Sequence, residues 1–170
     1  MKKFYEEIFK LKQILRTGWL ERHLPEKGRV ESVAEHIYST SMLAVEIISR
    51  EKLSLDEGKV FKMIACHELG EIDFGDHTPK ENLSKEEKFE KELAGVKRIS
   101  EECMLPEILD LWLEMEANKT PEAKFVNKLD KLDALLQCEI YSVGRPEVLE
   151  EFVKTNLEKT AEFSKYFSEE

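Results

Sequence analysis

No run of apolar residues in this chain approaches the length of a membrane-crossing helix, so no membrane partner is expected. The start of the chain, Met1-Lys2-Lys3-Phe4-Tyr5-Glu6-Glu7, has no apolar core of the secretory type and carries acids. Cysteine is rare: Cys66, Cys103 and Cys138 are scattered, odd in number and form no Cys-x-x-Cys pair. That argues against a disulfide framework and makes a reducing cytoplasm the expected compartment. Positive charge is also short, with 26 Lys and Arg against 36 Asp and Glu and a formal net charge of −10. A nucleic-acid polymer needs a broad basic footprint, which such a surface does not offer. A small phosphate compound stays compatible, because a bound divalent cation reverses the charge of a site locally.

Glycine and proline are sparse as well, 7 and 5 in 170 residues, and no stretch sustains the alternation of a half-buried strand. Helical periodicity dominates, and no repeat or linker divides the chain. The expectation is one all-α domain over 1–170, a compact bundle of about six to seven helices. Residues 3–16 read as a first helix, followed by a loop to Arg29 and a second helix from Ser32 to Glu51. Ser54-Leu55-Asp56-Glu57 has the form of a capping box opening a third helix that ends near Glu71. Gly75 to Pro79 reads as a polar loop. Ser84-Lys85-Glu86-Glu87 is a second capping box, for a helix to about Cys103. Pro106 begins another, to about Asn118. Thr120-Pro121 opens a helix to Val143, with Gly144 as its C-terminal cap. A last helix covers 146–166.

What the chain does have is a dense run, His67-Glu68-Leu69-Gly70-Glu71-Ile72-Asp73-Phe74-Gly75-Asp76, with one histidine and four carboxylates directly after an apolar segment. Charge at the end of an apolar face is costly to bury unless it is paired or holds a metal. His36 shares a helical face with Val33, Thr40, Leu43, Ala44 and Ile47 and therefore points inward. His67 lies one and two turns beyond Ile64, Met63 and Val60, with Glu71 one turn ahead. Either histidine alone reads as easily as a core residue bonded to a carbonyl. Two inward histidines on helices joined by a short turn make a shared site the better reading. Asp130 and Asp133 sit at and within the apolar stripe Phe125, Leu129, Leu132, Leu136 and Ile140, and the helical wheel does not choose between them.

These residues carry a resemblance. Ser32-Val33-Ala34-Glu35-His36, then His67-Glu68-x-x-Glu71-x-x-x-Gly75-Asp76-x-Thr78-Pro79, then Ala123-Lys124-Phe125-Val126-Asn127-Lys128-Leu129-Asp130 resemble the HD-domain metal-dependent phosphohydrolases, most closely their 5′-deoxynucleotidase subgroup. Arg16-Thr17-Gly18-Trp19 looks like that subgroup's N-terminal loop. The resemblance implies one divalent metal ion, Mn²⁺, Co²⁺ or Zn²⁺, held by His36, His67, Glu68 and Asp130. It implies hydrolysis of deoxyribonucleoside 5′-monophosphates, with Glu71 and Asp76 as catalytic acids. Arg16 would hold phosphate and Trp19 would line the sugar or base pocket, with His77 and Thr78 as further substrate candidates. Asp133 would then support the site, and a homodimer is implied. The family carries Asp where this chain has Glu68, and the site is expected to tolerate the longer acid. The alternatives are an HD phosphohydrolase for another nucleotide, or a non-catalytic nucleotide-binding module with a degenerate metal site. His23 and Asp73 are expected at the surface, Lys85 to Lys91 on a solvated helix face, and Trp112 in the core or a dimer contact.

Overall fold

The computed structural model describes residues 1–78 and 83–160, the side chains of 155–160 excepted. Its helices are α1 (Lys2–Leu11), α2 (Thr17–Glu21), α3 (Val33–Glu51), α4 (Glu57–Cys66), α5 (Glu71–Phe74), α6 (Lys85–Cys103), α7 (Pro106–Ala117), α8 (Pro121–Tyr141) and α9 (Pro146–Thr160). Seven are long, as expected for an all-α bundle; α2 and α5 are single turns of five and four residues. Among the described residues the one β feature is an isolated bridge between Leu15 and Ser32.

Local signals account for most of the helix starts. Ser32 and Glu35 form a reciprocal capping box at α3, and Ser84 and Glu87 form another at α6. Thr120 caps α8, with Pro121 in its first turn. The start of α4 differs from expectation: Asp56, not Ser54, is the cap, its carboxylate accepting from Lys59 N–H at 3.0 Å. α1 ends at Leu11 rather than 16. Beyond it the backbone turns to pair with the segment before α3, Arg16 N–H to Glu31 O and Val33 N–H to Ile14 O. The segment read as loop therefore contains α2. α4 stops at Cys66 rather than near Glu71, and tight turns carry the chain through His67 to Gly70. α8 ends two residues early, capped at Ser142, while Gly144 takes a left-handed φ of 88° in the turn that follows. The expected extension to 166, like Pro79, lies outside the described residues.

α8 is the central helix, packing on α3, α4, α7 and α9. One apolar core joins α3, α4, α7 and α8 around Ile47, Ile64, Val126 and Leu129. A second joins α1, α5, α6 and α7 around Leu69, Val96, Ile99 and Trp112, so Trp112 is core. A third seats Trp19 of α2 with Leu24, Cys138 and Val148. Arg98 of α6 ties α1 and α5 together, donating to Glu7 at 2.7 Å and to both oxygens of Asp73 at 2.7 and 2.8 Å. Asp73 is exposed, as expected, and lies in α5 rather than a loop, paired there with Arg98. His23 is exposed as expected.

Candidate metal centre and active-site cavity

The α3 capping box fixes the helix start immediately before His36, which the bundle then buries completely at 0 % exposure. His67 caps the C-terminus of α4, and its Nδ1 lies 2.7 Å from the Ile64 carbonyl. That contact requires Nδ1 to donate, which leaves the Nε2 lone pair free. The Nδ1 of His36 likewise sits 2.6 Å from Oδ2 of Asp133. Both rings are thus oriented by a hydrogen bond on one nitrogen while the other faces inward, as metal-binding imidazoles are.

The two Nε2 atoms are 3.3 Å apart. Oε1 of Glu68 stands 3.5 Å from each, and Oδ1 of Asp130 stands 3.3 Å from that of His36. One ligand atom from each of the four residues falls within 4.8 Å of the others. Two lone pairs and two carboxylates converging on one point repel unless a cation lies between them. Two imidazole nitrogens bound to one cation at about 2.1 Å stand about 3.0–3.4 Å apart, depending on the coordination angle, which matches the spacing here. The donor set therefore fits a divalent metal. Glu68 reaches the convergence point despite its extra methylene, its oxygen equidistant from the two rings.

The field of the pocket agrees. Burial and Arg16 disfavour a proton on His36, but Asp130, Asp133 and Glu68 outweigh them and raise its pKa well above the imidazole range. Burial alone would raise the Glu68 carboxyl; His67, His36 and Arg16 overcome it and hold it below the usual range. Asp130, despite its burial, is likewise held low by Lys131 and the two histidines, and Lys131 Nζ lies 2.5 Å from its Oδ2.

These groups open into a cavity of about 710 Å³. Glu71 lines it at 2 % exposure, and its Oε2 has no hydrogen-bond partner. Burial, then the charges of Glu68 and Asp76, push its carboxyl well above the usual range. Arg16 enters from the start of α2, its Nη1 3.4 Å from Glu68 Oε1 and 3.3 Å from Asp76 Oδ1. Asp76 also accepts from the Thr17 backbone N–H. Trp19 forms a buried part of the wall, its indole N–H donating to Glu31 at 2.8 Å and its ring 5.6 Å from that of Phe152. His77 stacks on Phe74 at 3.7 Å, and the Thr78 hydroxyl donates to Glu21 at 2.9 Å; both line the cavity.

All ten candidate residues from the sequence therefore gather at one cavity or its metal-binding floor. Sequence reasoning missed Lys88, Glu92 and Glu116, which line it too. The 85–91 segment is not simply a solvated face: Lys85, Lys88 and Phe89 turn into the cavity. The signal was the i, i+4 spacing of Lys88 and Glu92, which by itself reads as an ordinary surface pair.

The HD domain family model matches residues 8–168. The chain belongs to the HD domain family. It is 34% identical over 157 residues to the 5′-deoxynucleotidase HDDC2 of Danio rerio, covering 89% of this chain and 76% of that one. Among solved structures it is similar to a conserved hypothetical protein of Pyrococcus furiosus, with a TM-score of 0.77 and 29% identity over 98% of this chain and 94% of that one. A predicted metal-dependent phosphohydrolase of Magnetospirillum magnetotacticum matches with a TM-score of 0.67 and 31% identity, over 80% of this chain and 67% of that one. The chain thus combines an HD-domain fold with a cluster of His, Glu and Asp side chains that could hold a divalent metal ion. No helix among the described residues is long and apolar enough to cross a membrane.

Proposed function

We propose that this HD-domain protein is a metal-dependent 5′-deoxynucleotidase, releasing phosphate from deoxyribonucleoside 5′-monophosphates. The observation that carries this reading is the pair of facing imidazole nitrogens, 3.3 Å apart, with Glu68 and Asp130 beside them at the floor of a nucleotide-sized cavity. The named activity of the HDDC2 relative supports the substrate class.

A divalent ion held by His36, His67, Glu68 and Asp130 would polarise a phosphoryl oxygen and acidify water. Glu71, as the carboxylate, would take a proton from the attacking water: its unpartnered Oε2 is buried in the cavity wall, and burial with the charges of Glu68 and Asp76 makes the carboxylate more basic than usual. Arg16 offsets charge on the phosphoryl oxygens, and Asp76 holds Arg16 and the start of α2 in place while facing the leaving group. Trp19 closes the nucleoside side of the cavity, with His77 and Thr78 along its rim. We read 1–170 as one domain, which the family match over 8–168 supports. We assign the protein to a reducing cytoplasm, consistent with three free cysteines. We also propose a homodimer, with the exposed Tyr38, Met42, Val45 and Ile140 of α3 and α8 as the natural contact.

The test is phosphate release across a panel of deoxy- and ribonucleoside monophosphates with Mn²⁺, Co²⁺ or Zn²⁺. Turnover of dAMP, dGMP or dTMP, lost on chelation and weak with ribonucleotides, is the expected result. No turnover with any pair would sink the proposal. Turnover of triphosphates or cyclic nucleotides alone would select another substrate class.

A further inference from the structure

The cavity carries more acid than base: besides the metal ligands and catalytic acids, Glu21, Glu92 and Glu116 face it. A phosphate monoester entering it needs cations beyond the metal. Arg16 is already engaged, its guanidinium held between Glu68 and Asp76. Lys131 is engaged as well, at 2.5 Å from Asp130, Arg22 donates to the Gly18 carbonyl at 2.9 Å, and Lys85 stands at the exposed edge of the cavity. Lys88 of α6 is different. It lines the cavity with its side chain 42 % exposed, and its one ion-pair partner among the described residues is Glu92, at 3.3 Å. An ammonium group has three protons to donate, and a single carboxylate at that distance leaves it donor capacity.

The position of Lys88 is built rather than incidental. α6 passes so close to the turn after Glu68 that a Cβ on Gly70 would lie 2.6 Å from Glu92 Cβ and 2.9 Å from its Cα. Gly95, one turn further along α6, rests against the Gly70 carbonyl, which a Cβ there would meet at 3.3 Å. This contact presses the Lys88–Glu92 turn of α6 against the turn that carries Glu68 and Glu71. Lys88 feels that proximity: burial lowers its pKa, but Glu92, Glu68 and Glu71 together raise it, so the ammonium stays charged. A lysine serving only as an i, i+4 partner on a solvated helix would need none of this.

We propose that Lys88, steadied by Glu92, is a substrate-phosphate-binding residue of this site, donating to a phosphoryl oxygen from α6. It acts on the substrate and not on the metal. The inference rests on the phosphohydrolase reading, and its test keeps the two apart. Inorganic phosphate is titrated calorimetrically into the Mn²⁺-loaded wild-type protein and into Lys88→Met and Lys88→Arg, with Mn²⁺ affinity measured separately on each. Loss of one charge-assisted hydrogen bond is expected to weaken phosphate binding about 10- to 100-fold in Lys88→Met and to raise KM more than it lowers kcat. Lys88→Arg should recover most of the binding, and Mn²⁺ affinity should not fall. Phosphate affinity within twofold of wild type in Lys88→Met overturns the proposal. So does an equal loss of Mn²⁺ affinity, which would make Lys88 a support for the ligands, and so does a wild-type protein that binds no phosphate. Phosphate binding that depends on Lys88 in a protein that hydrolyses no deoxynucleotide would uphold Lys88 and sink the 5′-deoxynucleotidase reading alone.

Discussion

On one wall of the cavity, α3, α4 and α8 present His36, His67 and Asp130 from long helices sharing a core of Ile47, Ile64, Val126 and Leu129. On the other, Arg16, Glu71, Asp76 and Lys88 come from the one-turn helices α2 and α5, the loop after them, and α6 pressed against Gly70. The first wall holds most of the ligand set and satisfies it: each imidazole has its orienting partner, and Asp130 has Lys131. The second wall carries the reactive groups and leaves Glu71 with an orphaned oxygen. The division makes physical sense. Metal ligands must converge within tenths of an ångström, which rigid helices do well. Groups that handle water and phosphate must meet a ligand that comes and goes, and cannot be saturated by the protein.

The sharpest break between the walls is expected at Glu71. Glu71→Gln should lower kcat by about 10²–10⁴, the usual contribution of a positioned general base. Metal content should not change, because the four ligands stand without it. Metal loss in step with activity, measured by elemental analysis, would move Glu71 into the ligand set and erase the distinction.

A smaller effect is expected behind the ligands. Asp133 accepts from Nδ1 of His36 at 2.6 Å, and so fixes which nitrogen of that ring faces the metal site. Asp133→Ala should weaken Mn²⁺ binding about 10- to 100-fold, read by competition with a chelating dye. Affinity equal to wild type would mean that packing alone orients the ring.

The same contrast explains what the sequence disclosed. The helical wall was legible because its signals are periodic: His36 and His67 fall on apolar faces, and capping boxes mark the starts of α3 and α6. Asp130 and Asp133 stayed undecided on the wheel because both lie near the stripe. The resemblance favours Asp130; in the structure its carboxylate faces the imidazole nitrogens while that of Asp133 stands behind His36. The second wall was less legible. The pattern reads as helix through to Glu71, since nothing in it marks the change at His67 from helix to tight turns. Lys88 reads from the sequence as solvent-facing because Glu68, whose charge it feels, lies on a segment brought close by the α5–α6 contact. Gly70 is the residue that permits this approach, and a glycine beside a ligand gives no hint by itself of what passes over it.

Gly70 therefore offers the mildest and most local way to test the comparison, with Gly58 as its counterpart on the helical wall. Gly70 has an ordinary helical backbone, φ −61° and ψ −28°, so alanine there meets a problem of space and not of conformation. Its Cβ would fall 2.9 Å from the α6 backbone at Glu92. Overpacking of this kind costs about 1–3 kcal/mol, or a fall in Tm of roughly 2–12 °C for a chain of this size. Because α6 must shift away, Gly70→Ala should also raise KM while leaving Mn²⁺ affinity nearly intact. At Gly58, in the first turn of α4, a Cβ would meet only Asp56 Oδ1 at 3.4 Å. Gly58→Ala should raise stability by about 0.4–1 kcal/mol through the unfolded state and change neither constant. Thermal unfolding and steady-state kinetics on the two variants read both effects. Equal Tm shifts of the same sign, or a Gly70→Ala protein that loses metal before it loses substrate affinity, would show that the two walls move as one body.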